Sequence, residues 1–279
     1  MPKVTRATSF DHDAIIIGSG FGGSVSALRL TEKGYDVAVL EAGRRFEDNE
    51  FAKTSWHLRD YLWAPALKCF GIQRVHLLHD SLILAGAGVG GGSLVYANTL
   101  YEPLDPFFED PAWGHITDWK TELAPYYDQA KRMLGVSIYG FETPADRVMK
   151  EVAERMGVGG TFHYAPVGVT FGSPDSPGGE SIAGPYFGGV GPERRACTNC
   201  GECMTGCRHN AKNTLVKNYL WFAEKLGVKI DPMRTVTDVK PIRATTGRRD
   251  GSAGFEVTSV KTGAWLFKGR RVERARGVV

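Results

Sequence analysis

The chain has 279 residues, 42% hydrophobic and 23% charged, enough for one large α/β domain or two smaller ones. A net charge of +3, with no platform of interleaved Lys, Arg and aromatic residues, argues against a nucleic-acid partner. No run approaches the roughly 20 apolar residues of a membrane span, and Met1 to His12 lacks the apolar core of a signal peptide. The expected location is cytoplasmic, with peripheral membrane contact left open, and a reducing compartment disfavours structural disulfides.

Ala14-Ile15-Ile16-Ile17 reads as a short, fully buried strand. The turn Gly18-Ser19-Gly20-Phe21-Gly22-Gly23 has the G-x-G-x-x-G form, and Ser24 to Lys33 reads as a helix. Val25, Leu28 and Ala27 or Leu30 supply its inward face. Gly18 permits a tight turn, Gly20 admits a pyrophosphate close to bare backbone, and Gly23 lets helix and strand pack closely. The helix start offers free N–H groups and a positive dipole end to the phosphates. Gly34 ends the helix, Asp36 to Leu40 forms a second strand, and Glu41 stands at its end. A carboxylate there accepts hydrogen bonds from a ribose and argues against a 2′-phosphate. Strand, turn, helix, strand and acid together predict a dinucleotide site on a Rossmann-like α/β fold. The competing reading is an empty crevice with Glu41 as a solvated loop acid.

Ala42-Gly43-Arg44-Arg45 then turns the chain away, its arginines read as loop charges. Phe51, Trp56, Tyr61, Trp63 and Phe70 are expected in core or interface rather than against a cofactor. In the stretch from Ser81 to Asn98, glycines 86, 88, 90, 91 and 92 leave backbone N–H groups unhindered, and Leu94 to Asn98 is expected to start a helical turn. This composition suits a second anion cradle, or backbone lying against a flat ring. A flexible loop fits less well, because apolar residues flank the glycines on both sides and linkers are polar.

These two glycine motifs in combination resemble the glucose–methanol–choline (GMC) family of flavin oxidoreductases, and within it the bacterial cholesterol-oxidase branch. The resemblance extends through Glu32-Lys33-Gly34-Tyr35, Leu40-Glu41-Ala42-Gly43-Arg44, Trp63-Ala64-Pro65, Gly71-Ile72-Gln73-Arg74 and Tyr186-Phe187-Gly188-Gly189, nearly the whole chain. It implies FAD, held by Gly18, Ser19, Gly20, Phe21, Gly22, Gly23, Glu41 and Ala42. The second loop, with Gly86, Gly90, Gly91, Gly92, Ser93 and Asn98, would lie beside the isoalloxazine ring, and the Val236 backbone would bond the adenine. Many relatives place Asn where this chain has Tyr96.

The resemblance also implies the reaction. A hydride would leave the carbinol carbon of a sterol or another bulky alcohol for FAD, and oxygen or another acceptor would take the electrons on. A catalytic His with a His or Asn partner is expected beyond Val279, so no residue here is expected to be catalytic. The chain then reads as the N-terminal portion of a longer protein, marginal alone because of an open sheet edge and an incomplete site. Two alternatives stay open: an alcohol dehydrogenase relaying electrons through an iron–sulfur cluster, and an inactive flavin-binding piece.

Three stretches are expected: 10–110, the first part of the FAD-binding domain; 111–195, a helical and loop insert on the substrate side; and 196–279, a cysteine-rich segment, a helix and return strands completing a mixed sheet. Asp118 caps a helix whose inward stripe is Trp119, Leu123, Tyr127, Ala130 and Leu134, ended by Gly135 and kinked or split by Pro125. Thr143-Pro144 opens another, with Val148, Val152 and Met156 as its core stripe. His115 and His163 are expected to be structural. Residues 171–192 read as a long loop over the substrate side.

Cys197-x2-Cys200-x2-Cys203-x3-Cys207 has the spacing of a ferredoxin ligand run, although Arg208 replaces the usual proline. Zinc with His209 as a further ligand, a disulfide, and free thiols are the alternatives. The resemblance implies a structural loop without metal, so no metal is expected. Leu215, Tyr219, Phe222 and Leu226 form one face of a helix stopped by Gly227. Strands follow at Val228 to Ile230, at Thr235 to Val239 and from Arg276 to the end, with basic residues on solvated outer positions.

Overall fold

Successive side chains of a strand point to opposite faces, and both Ile15 and Ile16 are fully buried. A strand covered on both faces belongs inside a sheet. The computed structural model describes residues 10–173 and 176–279. The first nine residues of the polar start, and two residues of the predicted loop over 171–192, lie outside them.

In chain order, β1 (His12–Ile17), α1 (Phe21–Glu32) and β2 (Val37–Leu40) form a parallel βαβ unit. β3 (Gln73–Leu77) and β4 (Leu82–Gly86) form a hairpin. Helices α2 (Trp119–Met133), α3 (Pro144–Arg155) and α4 (Tyr219–Lys225) precede β5 (Lys229–Asp231), β6 (Arg234–Pro241), β7 (Phe255–Lys261) and β8 (Arg271–Val278). The main sheet has six strands in the order β5-β2-β1-β8-β7-β6. The first four run parallel, and β7 lies antiparallel between β8 and β6, so the sheet is mixed as predicted.

Ile15 lies opposite Ala38 on one side and Val278 on the other, which joins the two ends of the chain at β1. Ile16 and Val39 share an apolar cluster with Ala27 and Leu28 of α1 and with Leu220 and Ala223 of α4. Ile15 belongs to a second cluster, with Leu40, Val257 and Ala275. Each such buried side chain stabilises the fold by roughly 1.5–3 kcal/mol. This double cover, more than strand propensity, holds β1 in place.

Several sequence expectations are corrected. Ile17 is 41% exposed, because β1 ends there and the glycine turn opens beside it. α1 starts at Phe21, earlier than predicted, since the Gly20 carbonyl already accepts from the Ser24 N–H. Val25 is exposed, and Ser24 takes the buried position with its hydroxyl bonded to the Phe21 carbonyl. Trp56, expected in core or interface, is 86% exposed and so outside the core. Asp118 caps α2 as predicted, but Pro125 does not split the helix. The carbonyl that loses its partner belongs to Thr121, an exposed residue, so the lost bond is not buried in the core.

Thr143 and Asp146 form a capping box at α3, with Pro144 in the first turn. Its Val148, Val152 and Met156 stripe is nevertheless exposed: the spacing marks an apolar face, not what covers it. The helix predicted from Leu215 is two pieces, a 3-10 turn at Leu215–Lys217 and then α4, and Leu226 is exposed beyond its end. The helical turn expected at Leu94 to Asn98 comes earlier, at Gly91–Leu94. His115 bonds the Pro111 carbonyl, and His163 bonds the Thr161 carbonyl and the distant Tyr101 hydroxyl. Basic residues of the last strands pair across the sheet, Arg274 with Glu256 and Arg276 with Asp13. Among the described residues no helix is long and apolar enough to cross a membrane.

Candidate functional site: two glycine loops and a cysteine loop

At the end of β1, Gly18 takes φ +96°, which glycine adopts without strain. Its N–H still bonds the Leu40 carbonyl, so the turn begins in register with β2. A Cβ on Gly23 would stand 2.0 Å from the Gly18 carbonyl oxygen, so this glycine sets how closely α1 approaches β1. At Gly18, Gly20 and Gly22 the corresponding space is open to 4 Å. No side chain caps α1, whose first-turn N–H groups remain for water or an anion. Phe21, exposed at the helix start, lies edge-on to Tyr96 with ring centroids 6.3 Å apart.

Glu41 is buried beside this turn. Its Oε2 accepts from the Ser19 N–H (2.9 Å) and the Ser19 hydroxyl (2.7 Å), and its Oε1 accepts from the Gly43 N–H (2.8 Å). A carboxylate offers about four acceptor sites. Three are taken inside the chain, which leaves one for a ribose hydroxyl. The Ser19 hydroxyl also accepts from the Gly90 N–H at 3.1 Å, so acid, first turn and second loop form one latch.

The second loop owes its path to close backbone approaches. A Cβ on Gly43 would lie 2.1 Å from the Gly88 nitrogen, one on Gly86 2.2 Å from the Gly91 oxygen, and one on Gly91 2.7 Å from the Gly20 Cα. Ser93 is fully buried; its hydroxyl donates to the Gly90 carbonyl (2.7 Å) and accepts from the Leu215 N–H (3.0 Å). Gly92 faces the Phe21 ring. The structure thus brings Gly18–Gly23, Glu41, Gly86 and Gly90–Ser93 together. β6 joins them where the Arg234 N–H bonds the Glu41 carbonyl, with Val236 two residues on at a bulge, and the Ala42 carbonyl accepts from Thr262. Asn98 lies apart from the turn, its amide donating to the Cys203 sulfur at 3.3 Å.

The cysteine loop lies behind the second glycine loop. All five cysteines are free, and Cys197, Cys200, Cys203 and Cys207 line one cavity of about 20 Å³. Sequence reading missed two buried cations beside it. The Lys212 ammonium donates to the Leu94 carbonyl (2.8 Å) and the Cys203 carbonyl (3.0 Å), and lies 4.6 Å from the Tyr96 ring centre. Arg194 donates to the carbonyls of Lys212 (2.8 Å) and Asn210 (3.2 Å). Neither pairs with a carboxylate among the described residues. Burial lowers the Lys212 amine to about 8 and raises the Tyr96 hydroxyl and the thiols of Cys197 and Cys203. The local sequence carries one signal of this, a lysine within the otherwise uncharged Asn210 to Val216; nothing in its spacing announces burial.

Residues 16–46 match the NAD(P)-binding Rossmann-like domain model, the segment that contains the first turn and Glu41. A cholesterol oxidase of Mycobacterium tuberculosis (strain ATCC 25618 / H37Rv) is 60% identical over 96% of this chain and 45% of its own length. A cholesterol oxidase of Acinetobacter baumannii is 48% identical over 97% of this chain and 48% of its own. The chain therefore spans about half the length of these curated relatives. Among solved structures, pyridoxine 4-oxidase from Mesorbium loti superposes with a TM-score of 0.53 at 15% identity, covering 95% of this chain and 48% of that one, a likeness of fold.

Proposed function

The chain belongs to the GMC family of oxidoreductases, on its cholesterol-oxidase-like side, and from that premise we propose that the whole protein oxidises the CH–OH group of a sterol or similar alcohol using FAD. The observation that carries the reading is the open backbone at Gly18, Gly20 and Gly22, set at an uncapped helix start beside a buried acid. A flavin dinucleotide fits these residues. The free N–H groups of the α1 first turn would take the pyrophosphate, and the remaining acceptor site of Glu41 would take a ribose hydroxyl. Backbone of Gly90 to Ser93 would flank the ring. FAD when bound supplies the two-electron acceptor for a hydride. This chain's own contribution is placement: the Ser19–Glu41–Gly90 latch sets the distance between the two glycine loops, and Ser93 ties the second loop to Leu215. Oxygen is the proposed final acceptor, on the strength of the likeness to proteins described as oxidases.

The test uses full-length protein. It is expected to purify yellow, to release FAD on denaturation, to lose flavin absorbance when a sterol is added without air, and to consume oxygen when air returns. Turnover with artificial acceptors but not oxygen would convert the reading to a dehydrogenase. A colourless protein that refuses added FAD would overturn it.

A further inference from the structure

We propose that Cys197, Cys200, Cys203 and Cys207 together bind one iron–sulfur cluster of the four-iron, four-sulfide type. Their C-x2-C-x2-C-x3-C spacing is that of a cluster ligand run. The fold adds what spacing lacks: none of the four cysteines is in a disulfide, and all line the same cavity.

Their separation discriminates between metals. Four thiolates at about 2.3 Å from one zinc ion lie within about 4 Å of one another. Here no three of the four sulfur atoms lie mutually within 4.8 Å, which is too wide for a single tetrahedral ion. A cubane holds its ligands farther apart than that, one on each iron. The present space suits one water-sized atom, so loading requires Cys200, the most exposed of the four, to swing outward.

Burial by itself works against thiolate at Cys197 and Cys203, and three hydrogen-bond donors stand ready to meet negatively charged sulfur. The Asn199 N–H points at the Cys197 sulfur (3.4 Å), the Ala211 N–H at that of Cys207 (3.4 Å), and the Asn98 amide at that of Cys203 (3.3 Å). Such bonds stabilise cluster thiolates and tune their potential. Lys212 and Arg194 are each 2% exposed or less and are satisfied by carbonyls alone. A buried cation that no anion balances is costly; Asp48 acts on Arg194, whereas the charges that face Lys212 are those of Cys203 and Cys207, and a four-thiolate cluster is an anion that would offset it. This inference stands apart from the flavin reading, because cluster and FAD are measured separately.

The full-length protein, purified without oxygen and reconstituted with equal amounts of ferrous and ferric iron and with sulfide, should hold about four iron and four sulfide per chain. Dithionite should give the paramagnetic signal of a reduced cluster. Cys200→Ala, at the exposed position, and Cys203→Ser should each lower iron and sulfide at least tenfold, with Cys200→Ala keeping the flavin content of the parent. Cluster without flavin would support this inference and sink the previous one. A folded, flavin-loaded protein with neither iron nor sulfide after reconstitution would overturn it. So would one zinc per chain that survives Cys197→Ser and is lost in His209→Ala, which would move the site to Cys200, Glu202 and His209, whose ligand atoms already lie within 4.8 Å of one another.

Discussion

At the glycine turn a buried anion, Glu41, is met by two N–H groups and a hydroxyl; in the cysteine loop two buried cations, Lys212 and Arg194, are met by neutral oxygens. In both, neutral groups satisfy the hydrogen bonds of a buried charge; in the first region that arrangement holds two glycine loops at a set spacing. The second gathers two positive charges beside four thiols, with the Asp48 carboxylate acting on Arg194 and no carboxylate bonded to Lys212 among the described residues. Both sit against the second glycine loop, Ser19 reaching Gly90 from one side and Lys212 reaching Leu94 from the other. The difference teaches that hydrogen-bond satisfaction and charge balance are separate requirements. A group can meet the first and still point to a missing partner through the second.

Substitutions in each region put that contrast at risk. The largest effect is expected from Gly23→Ala, whose Cβ must displace backbone at the Gly18 carbonyl. Stability should fall by more than about 3 kcal/mol, read as a lowered urea midpoint or loss of soluble protein. Glu41→Ala comes next, at about 3 kcal/mol, since three donors lose a charged acceptor at once. Glu41→Gln should lose less stability, yet still weaken FAD binding at least tenfold by titration. Equal FAD affinity in both variants and the parent would remove Glu41 from the site.

Lys212→Met sharpens the comparison from the other side. It leaves two carbonyls without a donor but removes a desolvated charge, so without a cluster the net loss should be only about 1–2 kcal/mol. If Lys212 balances a cluster, the same variant should also lose iron faster under air, while Glu41→Gln should not. Ser19→Ala should cost roughly 1–2 kcal/mol through the lost link to Glu41 and Gly90. Outside both regions, Asp118→Ala should cost about 1 kcal/mol by removing the α2 cap, with flavin content unchanged. A larger effect there would mean that the insert bears on the glycine site.

Much of the glycine site was legible because its signals are local. Gly18 turns, Gly20 is open and Gly23 packs for reasons contained within six residues, and Glu41 follows at the end of the next strand. The latch was not legible. Ser19 was assigned to the site, but its side chain is turned into the protein, and no periodicity shows a hydroxyl shared between Glu41 and the Gly90 N–H. The α3 stripe failed for the converse reason: Val148, Val152 and Met156 have helical spacing, and spacing says nothing about cover.

The amino-acid sequence by itself determined the βαβ unit, the helix starts at Asp118 and Thr143, the two glycine loops and the cysteine spacing. In each case the information lies in neighbouring residues, where backbone sterics and capping hydrogen bonds act. Tertiary structure alone decided which charges are buried and which loops touch, because the groups involved are far apart in the chain. Lys212 and Leu94 are 118 residues apart, and Leu215 and Ser93 are 122. Desolvation depends on everything packed around a group, and for these groups that packing exists only once both ends of the chain have met on β1.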